Sequence, residues 1–171
     1  MNEKILVTYA SRTGSTIGVA QAIGAGLTES GIQVDVLPMP DVKDLTSYRA
    51  VVAGSAIQGN AWLPEAMEFV RTHQISLNQR PFAAFLVCMT MVMGNSKYSD
   101  HVATWLQPVS SLVKPRSEGL FAGALDIGKM PLIGNKLLFR LSVLFGVWEE
   151  GDHRDWNAIH AWAVSLPKAL F

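Results

Sequence analysis

Residues 4–20 read KILVTYASRTGSTIGVA, an apolar run that stops at a loop of hydroxyls around one glycine before a helical pattern begins. Ile5, Leu6 and Val7 form a short β-prone run of the kind buried in a parallel sheet, whereas Ile17, Ala20, Ile23 and Leu27 recur at helical spacing. The junction is therefore strand, loop, helix. In it Ser11, Thr13, Ser15 and Thr16 supply hydroxyls and Gly14 lets the backbone come close to a ligand. The first helical turn adds unpaired N–H groups at the positive end of the helix dipole. Together these make an anion site, most simply a phosphate site, although the same hydroxyls would also serve a helix cap with no ligand. The loop lacks the Lys-Ser/Thr ending of a nucleoside-triphosphate loop and the three-glycine spacing of a dinucleotide fingerprint. A monophosphate therefore fits it better than ATP or NAD.

Outward from this junction, strands and helices alternate. Gly31 stops the first helix, and residues 33–37 alternate as a second strand before Pro38 and Pro40 end it. Residues 50–55 make a small apolar third strand, and Ser55, Ala56, Ile57, Gln58 and Gly59 then open a loop suited to a flat heterocycle. Trp62 in this loop either stacks on such a ring or covers the helix that Pro64 opens. Residues 82–88 form a continuous apolar fourth strand ending at Cys88, followed by a methionine-rich loop, residues 89–95. There Met89, Met91 and Met93, with Thr90 among them, offer methionines that either wall a ligand or fill the core. A helix over residues 98–113 and a fifth strand over 119–124 follow. Such alternation implies right-handed crossovers and a parallel sheet, whose ligand crevice lies at the carboxyl ends of the strands.

At 171 residues with 49% hydrophobic composition, the chain is expected to be one domain with a full core. Fourteen basic residues balance fourteen acidic ones, so no global field attracts nucleic acid. The lone Cys88 excludes an internal disulfide, and the opening strand lacks the plan of a signal peptide, which points to the cytoplasm. His73, His101, His153 and His160 show no metal-ligand spacing and fall in predicted helices or their approaches, so surface or packing roles are expected and no metal site. Asp155 caps a last helix whose Trp156, Ile159, Trp162 and Leu166 form a core-facing stripe.

The loop Ser11-Arg12-Thr13-Gly14-Ser15-Thr16 resembles the phosphate loop of the flavodoxin family, which holds the phosphate of FMN. The resemblance implies a three-layer α/β fold with a five-stranded parallel sheet in the order 2-1-3-4-5. It also implies FMN held by residues 11–16, 55–59 and 88–91, with the flavin itself carrying the redox chemistry and no catalytic side chain required. End to end, the chain is similar to the flavodoxin-type, menaquinone-dependent protoporphyrinogen oxidase branch. Four places carry this: Arg12 in the loop, Gly54-Ser55-Ala56-Ile57, Gly123-Ala124-Leu125 leading into an insert, and Asp155-Trp156. That branch implies an FMN-dependent oxidoreductase acting on protoporphyrinogen IX with a quinone as acceptor. The alternative is a flavodoxin-type electron carrier docking on redox partners, which would usually present an acidic face; the balanced charge speaks against it. The chain departs from the branch just after the fifth strand, where residues 126–132 hold one basic residue and no aromatic.

The insert itself, residues 126–152, is very apolar yet interrupted by Lys136 and Arg140, four residues apart on one helical face. It is too short and too charged to span a bilayer. Three ways to bury it are open: against its own domain, in a homodimer, or at a membrane surface beside a quinone, peripheral to the inner face of the membrane.

Overall fold

A computed structural model describes residues 4–93, 96–129 and 133–171, with 96, 97, 133–136 and 139 described by their backbone alone. Its long strands are β1 (Lys4–Ala10), β2 (Val34–Pro38), β3 (Tyr48–Gln58), β5 (Phe82–Cys88) and β6 (Ser117–Ala122). They pair in parallel in the order β2-β1-β3-β5-β6, and a short strand β4 (Ala61–Trp62) folds back antiparallel on β3. Counting the long strands alone, this is the expected order 2-1-3-4-5. The inner strand β5 is buried along its whole length, which is why its seven residues read as one apolar run rather than an alternation.

The two faces of the sheet bury alternate residues. Ile5, Val7, Ala50, Val52, Ala83 and Phe85 meet α1 (Ser15–Glu29) and α7 (Trp156–Leu170), whose Ile23, Leu27, Ile159 and Leu166 are fully buried. On the other face, Leu6, Val51, Ala53, Ala84 and Leu86 meet Ala66, Met67 and Val70 of α2 (Pro64–Thr72). Leu77 of α3 (Gln74–Asn78) and Val109 of α5 (Gln107–Ser110) join the same layer. The result is three layers. The expected helix over 98–113 is broken into α4 (Ser96–Ala103), a 3₁₀ turn (Thr104–Leu106) and α5. Pro108 sits at the start of α5, where a residue without an N–H is tolerated; inside a longer helix it would remove a bond and clash with the preceding turn.

One further expectation is corrected. Trp156 is 43% exposed and stands outside the core, because it lies in the first turn of α7 with the Arg154 guanidinium 4.4 Å over its ring. Trp162 does pack, edge-on to Phe121 at 5.5 Å, with its N–H donating to Ser117 Oγ at 3.0 Å. The expected cap is present: Asp155 accepts from the Ala158 N–H at 2.9 Å. The insert is clipped at its base by a two-stranded ladder of β7 (Ala124–Leu125) and β8 (Gly151–Asp152), and carries α6 (Ile133–Leu144). Packing against its own domain does not cover this helix, since Leu137, Leu138 and Leu144 are more than half exposed. The Lys136 side chain lies outside the described residues, as do Gly94 and Asn95 of the methionine-rich loop. Among the described residues, no helix is long and apolar enough to cross a membrane.

Candidate functional site

Every long inner strand delivers a loop to the same edge of the sheet, and between them lies a cleft of about 530 Å³. That is within the range of small-molecule sites. Arg12, Thr13 and Ser15 form one wall after β1, and Ala56, Ile57, Gln58, Gly59 and Asn60 form a second after β3. Val87, Cys88, Met89 and Thr90 at the end of β5, with Trp105, form a third. Gly123, Ala124, Leu125 and Asp126 after β6, with Trp148 from the far end of the insert, close the fourth.

The first wall has the electrostatics of an anion site. Gly14 precedes α1 with φ +94°, a left-handed conformation that suits glycine, and no side chain caps the helix. No acidic residue lies in its first turn, so the helix itself leaves the positive end of its dipole unneutralised. Ser11 Oγ accepts the Gly14 N–H at 3.1 Å and shapes the loop. Ser11, Gly14 and Thr16 lie off the cleft's own lining; Thr16 is fully buried and its hydroxyl, like that of Thr8 on β1, has no hydrogen-bond partner among the described residues. A buried hydroxyl without an acceptor is costly, and Thr16 sits in the first turn of α1 directly after Ser15, which does line the cleft, so a phosphate reaching this turn would relieve that cost.

Two arginines brace this wall. Arg12 makes a double ion pair with Glu65 at the start of α2, with Nη2 to Oε2 at 2.9 Å, which ties the loop to the opposite helical layer. Arg154, just past β8, donates from Nη1 to the Ser15 carbonyl at 3.1 Å and pairs with Asp152 at 2.7 Å. Gly18 makes room for it, since a Cβ there would meet Arg154 Nη1 at 2.5 Å. The ion pair with Arg154 holds the Asp152 carboxyl below its usual range.

In the second wall, Gly59 and Asn60 both have positive φ and join β3 to β4 as a two-residue hairpin. Ser55, expected at the ligand, is fully buried beneath this loop: its hydroxyl donates to the Ala56 carbonyl at 2.7 Å and accepts from the Leu63 N–H at 3.0 Å. Its place is to hold the loop, not to line the cleft. Trp62 is buried against the core and away from the cleft. In the third wall, residues 89–93 wind into a 3₁₀ turn, with Met89 and Thr90 on the cleft while Met91 packs against the core. Burial pushes the Cys88 thiol up, against the smaller pull of the Met91 and Thr90 N–H groups, so it stays a protonated thiol.

The sequence reading missed Val87, Trp105, Asp126 and Trp148, placed Asn60 only in the loop after the third strand, and did not assign Gly123, Ala124 and Leu125 to the site. For the last three a signal existed, a run of small residues at the end of a parallel strand. For Trp105 and Trp148 there was none, because both come from segments whose path only the folded chain sets. Asp126 carries a carboxyl held low by its ion pair with Lys129 at 3.2 Å.

A sequence profile of the flavodoxin domain family matches residues 6–151. The chain belongs to that family. Its folded form is similar to a flavodoxin from Streptococcus pneumoniae TIGR4, at 18% identity and a TM-score of 0.61 over 96% of this chain and 98% of that one. It is likewise similar to a flavodoxin from the domain Archaea, at 18% identity and a TM-score of 0.58 over 98% of each. These two likenesses concern the fold. Among curated proteins it is 31% identical over 86 residues to the protoporphyrinogen IX dehydrogenase [quinone] of Escherichia coli K12, a match covering 49% of this chain and 48% of that protein. The matched stretch thus spans about half the length of that relative.

Family membership carries FMN as the cofactor, and the residues present fit it. The uncapped start of α1, the left-handed Gly14 and the unpartnered Thr16 hydroxyl suit a phosphate monoester. The loops of the second and third walls, with Ile57, Met89 and Trp148 on the cleft, would take the flat ring system.

Proposed function

We propose that this chain is an FMN-dependent oxidoreductase that oxidises a bulky, largely apolar reduced tetrapyrrole of the protoporphyrinogen type and passes the electrons to a quinone. The observation that carries this reading is the fourth wall. Leu125 and Trp148, near the two ends of the insert, line the cleft with Ile57, Val87 and Met89 and give it a largely apolar wall, where a small carrier needs only an exposed flavin edge and a charged docking rim. The partial similarity to the Escherichia coli dehydrogenase supports the same substrate class.

FMN, when bound, supplies two-electron redox chemistry. The chain binds and orients it: Thr13, Thr16 and the N–H groups at the start of α1 hold the phosphate, and the second and third walls fix the ring. Trp148 and Leu125 exclude water from the substrate side. Each two-electron, two-proton oxidation of substrate is balanced by reduction of one quinone to quinol.

The test is anaerobic mixing of the FMN-loaded protein with protoporphyrinogen IX and a soluble menaquinone analogue, followed by porphyrin fluorescence. Fluorescence should rise only when both protein and quinone are present. Reduced protein that ignores quinones but is reoxidised by a redox protein would overturn the reading and leave the electron-carrier alternative.

A further inference from the structure

The helix α6 leaves the rim of the cleft, and among the described residues its main neighbour is the turn Ile127–Lys129, not either helical layer. Leu137, Leu138, Leu141 and Leu144 are 61, 65, 43 and 77% exposed, and Phe145 and Val147 just beyond are 76 and 56% exposed. Single exposed leucines are ordinary, but six large apolar side chains within eleven residues of one projecting segment mark an interaction surface. We propose that α6 and the turn after it form a docking surface for an anionic lipid bilayer, with the helix lying in the plane of the interface.

Three observations favour lipid over a second copy of the chain. The first is charge: α6 contains Lys136 and Arg140 and no acidic residue, and the exposed Arg140 has no hydrogen bond or ion pair among the described residues. Lipid phosphates supply acceptors for such a helix, whereas two copies meeting face to face would bring like charges together. Glu149 and Glu150 lie beyond Trp148 at the base, where Glu150 accepts the Ile127 N–H at 3.1 Å.

The second is size. Twelve residues make a helix of about 18 Å, and one face of it falls well short of the roughly 800 Å² that each partner of a stable dimer buries. Insertion to a depth of about 5–10 Å in an interface asks no more than this one face. The third is continuity. Asp126 and Trp148, at the two ends of the insert, both line the cleft, so docking α6 brings the cleft mouth to the lipid surface. This inference goes beyond the redox reading and is measured without turnover.

The FMN-loaded protein should float with vesicles of phosphatidylcholine and phosphatidylglycerol, and about tenfold less with phosphatidylcholine alone or in high salt. Arg140→Glu, and separately Leu144→Ser with Phe145→Ser, should each lower binding by about tenfold while flavin content and circular dichroism stay unchanged. Protein that stays unbound on both vesicles, or variants that bind as well as the wild type, would overturn the proposal. So would a dimer that the serine variant dissociates without any vesicle binding, which would give the surface to a second copy. Flotation that persists while porphyrin turnover fails removes the redox reading and leaves this one standing.

Discussion

Thr16 concentrates the chemistry of the phosphate loop. Its hydroxyl is sealed from water and unpartnered among the described residues, so in the absence of a ligand it is an energetic liability, and, with a phosphate brought against it, would become a charged hydrogen bond worth about 1.5–3 kcal/mol. Thr16→Val, equal in shape, should therefore act in opposite directions on the two forms. FMN affinity should fall roughly tenfold or more, while the apoprotein should melt at the same temperature or higher. Flavin titration and calorimetry on the same preparation check both signs; an apoprotein destabilised as much as the holoprotein would show that the hydroxyl serves packing. Ser55 illustrates the contrary case. Its position at a strand end suggested a ligand contact, but its hydroxyl is spent on the backbone of its own loop.

At the scale of elements, close approach is set by glycines at particular registers. Gly54 on β3 stands opposite Phe85 on β5, and a Cβ at Gly54 would fall 2.1 Å from the Phe85 ring. Gly54→Ala should cost about 1–3 kcal/mol or more by overpacking, read as a lower urea midpoint. The cost should shrink when Phe85 is Leu, since the ring is what the methyl meets; equal costs in both backgrounds would refute the cause. Nothing in the third strand as written identifies Phe85 as the constraint, because the two residues are brought side by side only by strand pairing. The elements themselves were largely legible. β1, α1, β5 and α7 carry strong periodicity, whereas the helix over 98–113 was misread because Pro108 was given no weight against an otherwise helical pattern.

For the whole molecule, ligand and fold are coupled. FMN seated in the cleft would contact loops from the ends of β1, β3, β5 and β6, so it should bind the folded chain alone and raise its stability by about 2.7 kcal/mol at a hundredfold excess over Kd. Riboflavin, which lacks the phosphate, should raise the melting temperature by clearly less. Equal shifts for the two would remove the phosphate loop from the site. The measurement is a thermal melt against ligand concentration.

By itself the sequence determined the class of fold and the class of ligand. A buried strand running into a hydroxyl loop and then a helix has one economical solution, because the helix start must satisfy its own N–H groups and an anion does so. Alternating elements then force a parallel sheet with its crevice at the carboxyl ends. What only the tertiary structure decided is which side chains share that crevice. Ser55 turned under its loop, Trp105 and Trp148 turned onto the cleft, and Arg154 reached back across 139 positions to the Ser15 carbonyl. These outcomes depend on strand register, on the ladder that clips the insert, and on the room left at Gly18, all of which are contacts between distant residues. Local periodicity reports a residue's own face and spacing, and carries no record of the partner that the folded chain places against it.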